Sequence, residues 1–158
     1  MPLRLASWAF RSAVPPPPGL SMPAVGLERE VVTCEQAARE KGIPLENELK
    51  TLVLETSLGL RALHLRGNKK ASLRSVKRFL HAEQAHIASS ERLDTLRLLP
   101  GTVCPLLEPV WSLSHLVSSQ VLQLAFVSTN NGTRRGYYRF SPSILLSAKD
   151  VSIGEFEM

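Results

Sequence analysis

Apolar and polar positions along this 158-residue chain regroup repeatedly between a two-residue and a 3.6-residue period. That switching predicts short strands mixed with short helices. Residues 28–32 read as a strand, and Thr33-Cys34-Glu35-Gln36 then matches a capping box with Thr33 as N-cap. The short helix it opens stops at Gly42, and Pro44 suits one more helical turn before Leu49. From Lys50 to Glu55 the pattern turns to strand, with Leu52 and Leu54 alternating against Thr51 and Val53. Ser57-Leu58-Gly59 supplies a turn, residues 60–66 a hairpin partner, and Gly67-Asn68 its end. Ser72 caps a helix with Leu73, Val76, Phe79 and Leu80 on one face and Arg74, Lys77 and Arg78 on the other. Ser89 or Ser90 starts a further helix that ends before Pro100. Residues 121–128 form the most hydrophobic stretch and predict a buried central strand, followed by a loop at Thr129-Asn130-Asn131-Gly132. Residues 137–140 predict a pairing strand, Ser141-Pro142 a short helix with proline at its first position, and residues 151–156 the strand that closes the sheet. The irregular spacing points to an α/β fold with a mixed sheet or barrel, not a doubly wound parallel one.

Four consecutive prolines at 15–18 divide the chain. They favour an extended connector, so residues 1–20 are read as an N-terminal helix (4–13) and a proline-rich arm, and residues 21–158 as one domain. A length of 158 residues lets that domain bury a sizeable core. Apolar residues at 44% and charged residues at 21% match an ordinary globular protein. The formal charge of +5 adds long-range attraction for an extended anion, and nucleic acid is the natural one. Cys34 and Cys104 belong to no Cys-x-x-Cys or Cys/His cluster, so neither zinc nor a disulfide framework is expected and both thiols are read as reduced. Arg4 and Arg11 interrupt the apolar start before it reaches signal-peptide length, and no run approaches a membrane span. These features predict a cytoplasmic protein without a membrane partner.

Serine-hydrolase elbows, zinc-binding His-Glu-x-x-His helices and phosphate loops are absent from the sequence. His64, His81, His86 and His115 lack metal-ligand spacing and read as surface or strand histidines. Cys104 without an identified base reads as a small buried hydrophobe. What remains is Lys50 at a strand entrance and the loop Gly101-Thr102-Val103-Cys104-Pro105. Such a loop can aim successive N–H groups at an oxyanion, with an ammonium nearby to assist. A solvated Lys50 and a helix-terminating Gly101 are the plainer alternative.

Five segments resemble the YbaK family of aminoacyl-tRNA deacylases, related to the editing domain of some prolyl-tRNA synthetases. In order they are Glu35-Gln36-Ala37-Ala38, Lys50-Thr51-Leu52-Val53, the Gly67 turn with its Ser72 helix, Gly101 to Pro105, and Ser141-Pro142-Ser143-Ile144-Leu145. The resemblance implies a pseudo-barrel with short flanking helices and a pocket between the Lys50 strand and the Gly101 loop. It implies a trans-editing hydrolase, with no cofactor, that cleaves the ester of mischarged tRNA, with tRNA for proline carrying a small amino acid such as alanine or cysteine as the expected substrate. On that reading Lys50, Gly101, Thr102 and Val103 are catalytic. Thr51, Cys104, Pro105, Ser128, Thr129, Asn130 and Gly132 border the substrate, and water attacks. Arg66, Lys69, Lys70, Arg74, Lys77 and Arg78 would receive tRNA phosphates. The chain departs from the family at Thr102 and Cys104, in the absence of an acid on the strand expected at residues 110–113, and in the Asn130-Asn131 and Arg134-Arg135 pairs. The alternative is a non-catalytic tRNA-binding module, or a module associated with prolyl-tRNA synthetase through the proline arm.

Overall fold

The computed structural model describes residues 24–27, 29–99 and 102–158. The predicted N-terminal helix, the proline connector and Gly101 lie outside these residues. After β1 (Ala24–Gly26) the chain enters α1 (Cys34–Lys41), where Thr33 Oγ1 accepts the Gln36 N–H at 3.1 Å and Gln36 Oε1 accepts the Thr33 N–H at 3.3 Å. Gly42 ends α1 at φ 67°, a left-handed conformation that a side chain would resist. A single 3₁₀ turn, Leu45–Asn47, leads into β2 (Leu49–Thr56), and a tight turn returns the chain as β3 (Gly59–Arg66). Then follow α2 (Leu73–Leu80), β4 (Ala85–Ile87), α3 (Ser90–Thr95), α4 (Glu108–Trp111) and β5 (Ser114–Ser118). β6 (Val127–Asn130), β7 (Gly136–Phe140), a 3₁₀ segment at Pro142–Ser147 and β8 (Val151–Gly154) complete the order.

The strands form two sheets. One is mixed and five-stranded, β4-β2-β3-β5-β8, and the other is three-stranded and antiparallel, β1-β7-β6. The mixed sheet with short flanking helices is as expected; neither sheet closes on itself, and the two are bridged where Glu48 pairs with Ser128. Alternation along the strands splits the core in two. Val53, Ala62 and Val117 point into the larger cluster, with Leu106, Val110, Val127 and Tyr138. Leu54, Leu63, Leu65 and Leu116 point the other way, under Val76 of α2 and Phe156.

Three expectations change. The apolar run at 121–128 is not one central strand: Val121–Gln123 turns as a 3₁₀ segment, and only Val127 onward joins a sheet. The expected strand at 110–113 begins at Ser114, because α4 occupies the preceding residues through Trp111. Residues 29–32 are irregular, and the strand before α1 lies earlier, at Ala24–Gly26.

Gly67 ends β3 where the main chain packs on the segment that feeds β2. A Cβ there would meet the Leu45 carbonyl oxygen at 2.6 Å and the Glu48 carbonyl oxygen at 2.9 Å. Main-chain atoms cannot rotate away as side chains do. Gly67→Ala should therefore cost about 1–3 kcal/mol by overpacking, read as a lower denaturation midpoint; an unchanged midpoint would mean that the approach is loose.

Candidate functional site

β2 organises the site because its outer edge is only partly covered. β4 pairs with Leu54, Glu55 and Thr56 alone, and the Ala88 N–H closes the ladder on the Val53 carbonyl at 2.8 Å. Among the described residues no strand extends that pairing along Leu49 to Leu52. A cavity of about 320 Å³ occupies the place instead. Leu49, Thr51 and Val53 form its floor, Ala88 and Leu93 one wall, and Val103 and Asn130 the other. Val32, Cys34 and Ile87 contribute further, and Val32 and Ile87 are exposed apolar residues. The lining is mostly apolar, with a few polar groups that could orient a ligand.

Lys50 lines the cavity too, although alternation sends its side chain to the face of Leu52 and Leu54. Its ammonium donates to the Lys69 carbonyl at 2.7 Å. It also acts on Cys34 at the cavity: burial pushes that thiol up while Lys50 draws it down, and the net effect is upward. Cys34 is thus held as a thiol, a poor nucleophile. Lys50, Thr51, Val103 and Asn130 meet at one cavity, and the Asn130 amide donates to the Val103 carbonyl at 3.2 Å, tying β6 to the loop.

The other predicted site residues sit around this group. Thr102 is buried, and both its N–H and its hydroxyl donate to the Leu99 carbonyl, at 3.0 and 2.9 Å. Cys104 is fully buried in the larger core cluster, Pro105 is buried beside it, and neither lines the cavity. Thr129 lines a smaller side cavity of about 60 Å³, and its buried hydroxyl has no partner among the described residues. Gly132 donates its N–H to Asn130 Oδ1 at 2.9 Å and serves the turn after β6. Arg66 is held by Glu157 at 2.8 Å, at the end of β3. Lys70 exchanges main-chain hydrogen bonds with Met158. Arg74, Lys77 and Arg78 are exposed on α2, on the sheet face opposite the cavity floor.

Two buried polar systems at the site carry no local signal in the sequence. In the first, Lys41 Nζ donates to Glu48 Oε1 at 2.6 Å and to Ser128 Oγ at 2.8 Å, and lies 4.5 Å from the centre of the Tyr137 ring. Both charged side chains are almost wholly buried. Burial pushes Lys41 down and Glu48 up, each opposed by the other's charge and their hydrogen bond. In the second, the buried side chains of Thr51, His64 and His115 run in a hydrogen-bonded row across β2, β3 and β5.

The ion pair joins α1, β2 and β6, and removing one partner strands a buried charge. Lys41→Met or Glu48→Leu alone should cost about 3–5 kcal/mol, whereas the double variant should lose far less than their sum. Additive losses in the denaturation cycle would contradict the pairing.

A sequence profile described as "Aminoacyl-tRNA editing domain" matches residues 28–143. Among solved structures, the hypothetical protein APE2540 superposes with TM-score 0.79 at 21% identity, covering 89% of this chain and 93% of that one. A second, named as a "putative trans-editing enzyme for prolyl tRNA synthetase", superposes with TM-score 0.77 at 21% identity, covering 87% of each chain. No curated protein matches the sequence significantly. Among the described residues no helix is long and apolar enough to cross a membrane.

Proposed function

Since the chain belongs to the aminoacyl-tRNA editing domain family, we propose that it is a trans-editing deacylase that hydrolyses the ester of a mischarged tRNA in the cavity beside β2. The observation that supports this best is the convergence of Lys50, Thr51, Val103 and Asn130 on one mostly apolar cavity. The amino-acid side chain would enter the apolar part. There size does the selecting, and each methylene is worth only about 1–3 kcal/mol, which is why a second hydrolytic check is useful. The terminal ribose would lie toward Lys50. Val103 N–H would be the loop's donor to the developing oxyanion, since the Thr102 amide is engaged with Leu99. Lys50 would exchange the Lys69 carbonyl for the substrate. No protein nucleophile takes part; water is the attacking species. The preferred substrate on this reading carries a small residue such as alanine or cysteine on tRNA for proline; the choice of tRNA is in line with the name of one structural neighbour.

Lys50 also connects the two faces of the sheet. Its side chain lies on the α2 face, and its strand edge borders the cavity. A tRNA whose acceptor stem lies along Arg74, Lys77 and Arg78 would pass its end round the β2 edge at Lys50. Such phosphate contacts position without reading sequence.

Purified protein should release free amino acid from at least one mischarged tRNA, and Lys50→Ala should lower that rate by about 100-fold or more. A screen of small amino acids on several tRNAs that shows no release above background would remove the enzymatic reading. tRNA binding without release would favour the non-catalytic module.

Reversing Arg74, Lys77 and Arg78 to Glu should weaken tRNA binding and flatten the slope of log affinity against log salt by roughly 0.7–0.9 per lost contact. Unchanged binding would take α2 out of the interface.

A further inference from the structure

A row of hydrogen bonds crosses the inner face of the five-stranded sheet and ends at the cavity. Thr51 Oγ1 lies 3.0 Å from His64 Nδ1, His64 Nε2 lies 2.8 Å from His115 Nδ1, and His115 Nε2 lies 2.9 Å from the Trp111 carbonyl oxygen. The imidazoles stack with centroids 5.1 Å apart and planes within 11°. A carbonyl only accepts, so His115 carries its proton on Nε2. In a neutral ring Nδ1 is then an acceptor, so His64 donates from Nε2. By the same rule His64 Nδ1 accepts, and the proton comes from the Thr51 hydroxyl. Burial holds both rings below the ordinary histidine range; His115 pushes His64 further down, while Asp150 and the Trp111 carbonyl only partly offset burial at His115. Both rings are therefore neutral near pH 7.

We propose that this relay fixes Thr51 as a hydrogen-bond acceptor toward the cavity, where its oxygen positions the water that attacks the ester. The second half rests on the deacylase reading; the first does not. In the reaction the water oxygen bonds to the acyl carbon, the bond from that carbon to the ribose oxygen breaks, and a water proton ends on the ribose hydroxyl. Thr51 takes no proton. Passing one along the relay would make an imidazolium inside the core, where desolvation opposes it. His64 and His115 are thus positioning residues that act through Thr51.

Histidine side-chain ¹⁵N–¹H correlation spectra of the intact protein test the relay directly. Both His64 and His115 should carry the proton on Nε2, and Thr51→Val should perturb Nδ1 of His64. A proton on His64 Nδ1 would overturn the proposal, since Thr51 would then accept from the ring and aim its own proton outward. For a chain that deacylates and stays folded at the assay temperature, Thr51→Val should lower kcat by about tenfold or more with little change in KM, and Thr51→Ser should restore it. Wild-type kcat in Thr51→Val would refute the water-positioning role. If the wild-type chain releases no amino acid, the functional reading fails while the spectra still decide how Thr51 faces the cavity.

Discussion

The buried pair of Lys41 and Glu48 is the constraint from which the site's geometry follows. Burying an ammonium and a carboxylate is unfavourable unless each finds the other in good geometry with further hydrogen bonds. Here Gly42 stops α1 directly after Lys41, which leaves the lysine on the last turn, where the helix dipole favours a cation. Glu48 stands immediately before β2, so their contact fixes where β2 begins. Because side chains alternate, that start decides that Leu49, Thr51 and Val53 face the cavity and that Lys50 does not. Ser128 accepts from the same ammonium and places β6, which brings Asn130 within reach of Val103. A shift of one residue at Glu48 would exchange the cavity floor with the packed face under α2.

The cavity exists because sheet pairing stops short. An uncovered strand edge exposes main-chain donors and acceptors and invites pairing with another chain. Here the exposed stretch is short and lies between the two sheets, with Val103, Asn130 and Leu93 across from it. On the proposed reading, main-chain polarity at the edge and apolar side chains on the floor divide the work. The first binds the ester and ribose, and the second sorts amino acids by size.

Local signals in the sequence suffice where the element depends on near neighbours alone. The capping box at Thr33, the stop at Gly42, the turn from β2 to β3 and the Ser72 and Ser89 caps all depend on residues within four positions of each other. The run at 121–128 misled because short apolar stretches have no decisive period, and Val121 and Val127 are both buried without sharing a strand. The strand expected at 110–113 failed because α4 ends there and the strand begins three residues after Trp111. Of the candidate site residues singled out in the sequence, Lys50, Thr51, Val103 and Asn130 line one cavity. Lys41 and Glu48 were invisible because charged residues are normally exposed and nothing local says that these two meet. His64 and His115 lie 51 positions apart, and only the parallel pairing of β3 with β5 brings them together.

The two hidden systems also differ in what they can do. The ion pair is strong and directional, but its groups are spent on each other and on Ser128, so it sets positions and offers the cavity little chemistry. The histidine row is neutral, so its desolvation is far less unfavourable than that of a charge. Each link uses one donor and one acceptor, and the Trp111 carbonyl fixes the order of all of them. A chain of this kind leaves unsatisfied capacity only at its free end. That end is the lone pairs of Thr51, on the floor of the one cavity to which Lys50 and Val103 also contribute, so the core determines the polarity of a group that the cavity presents.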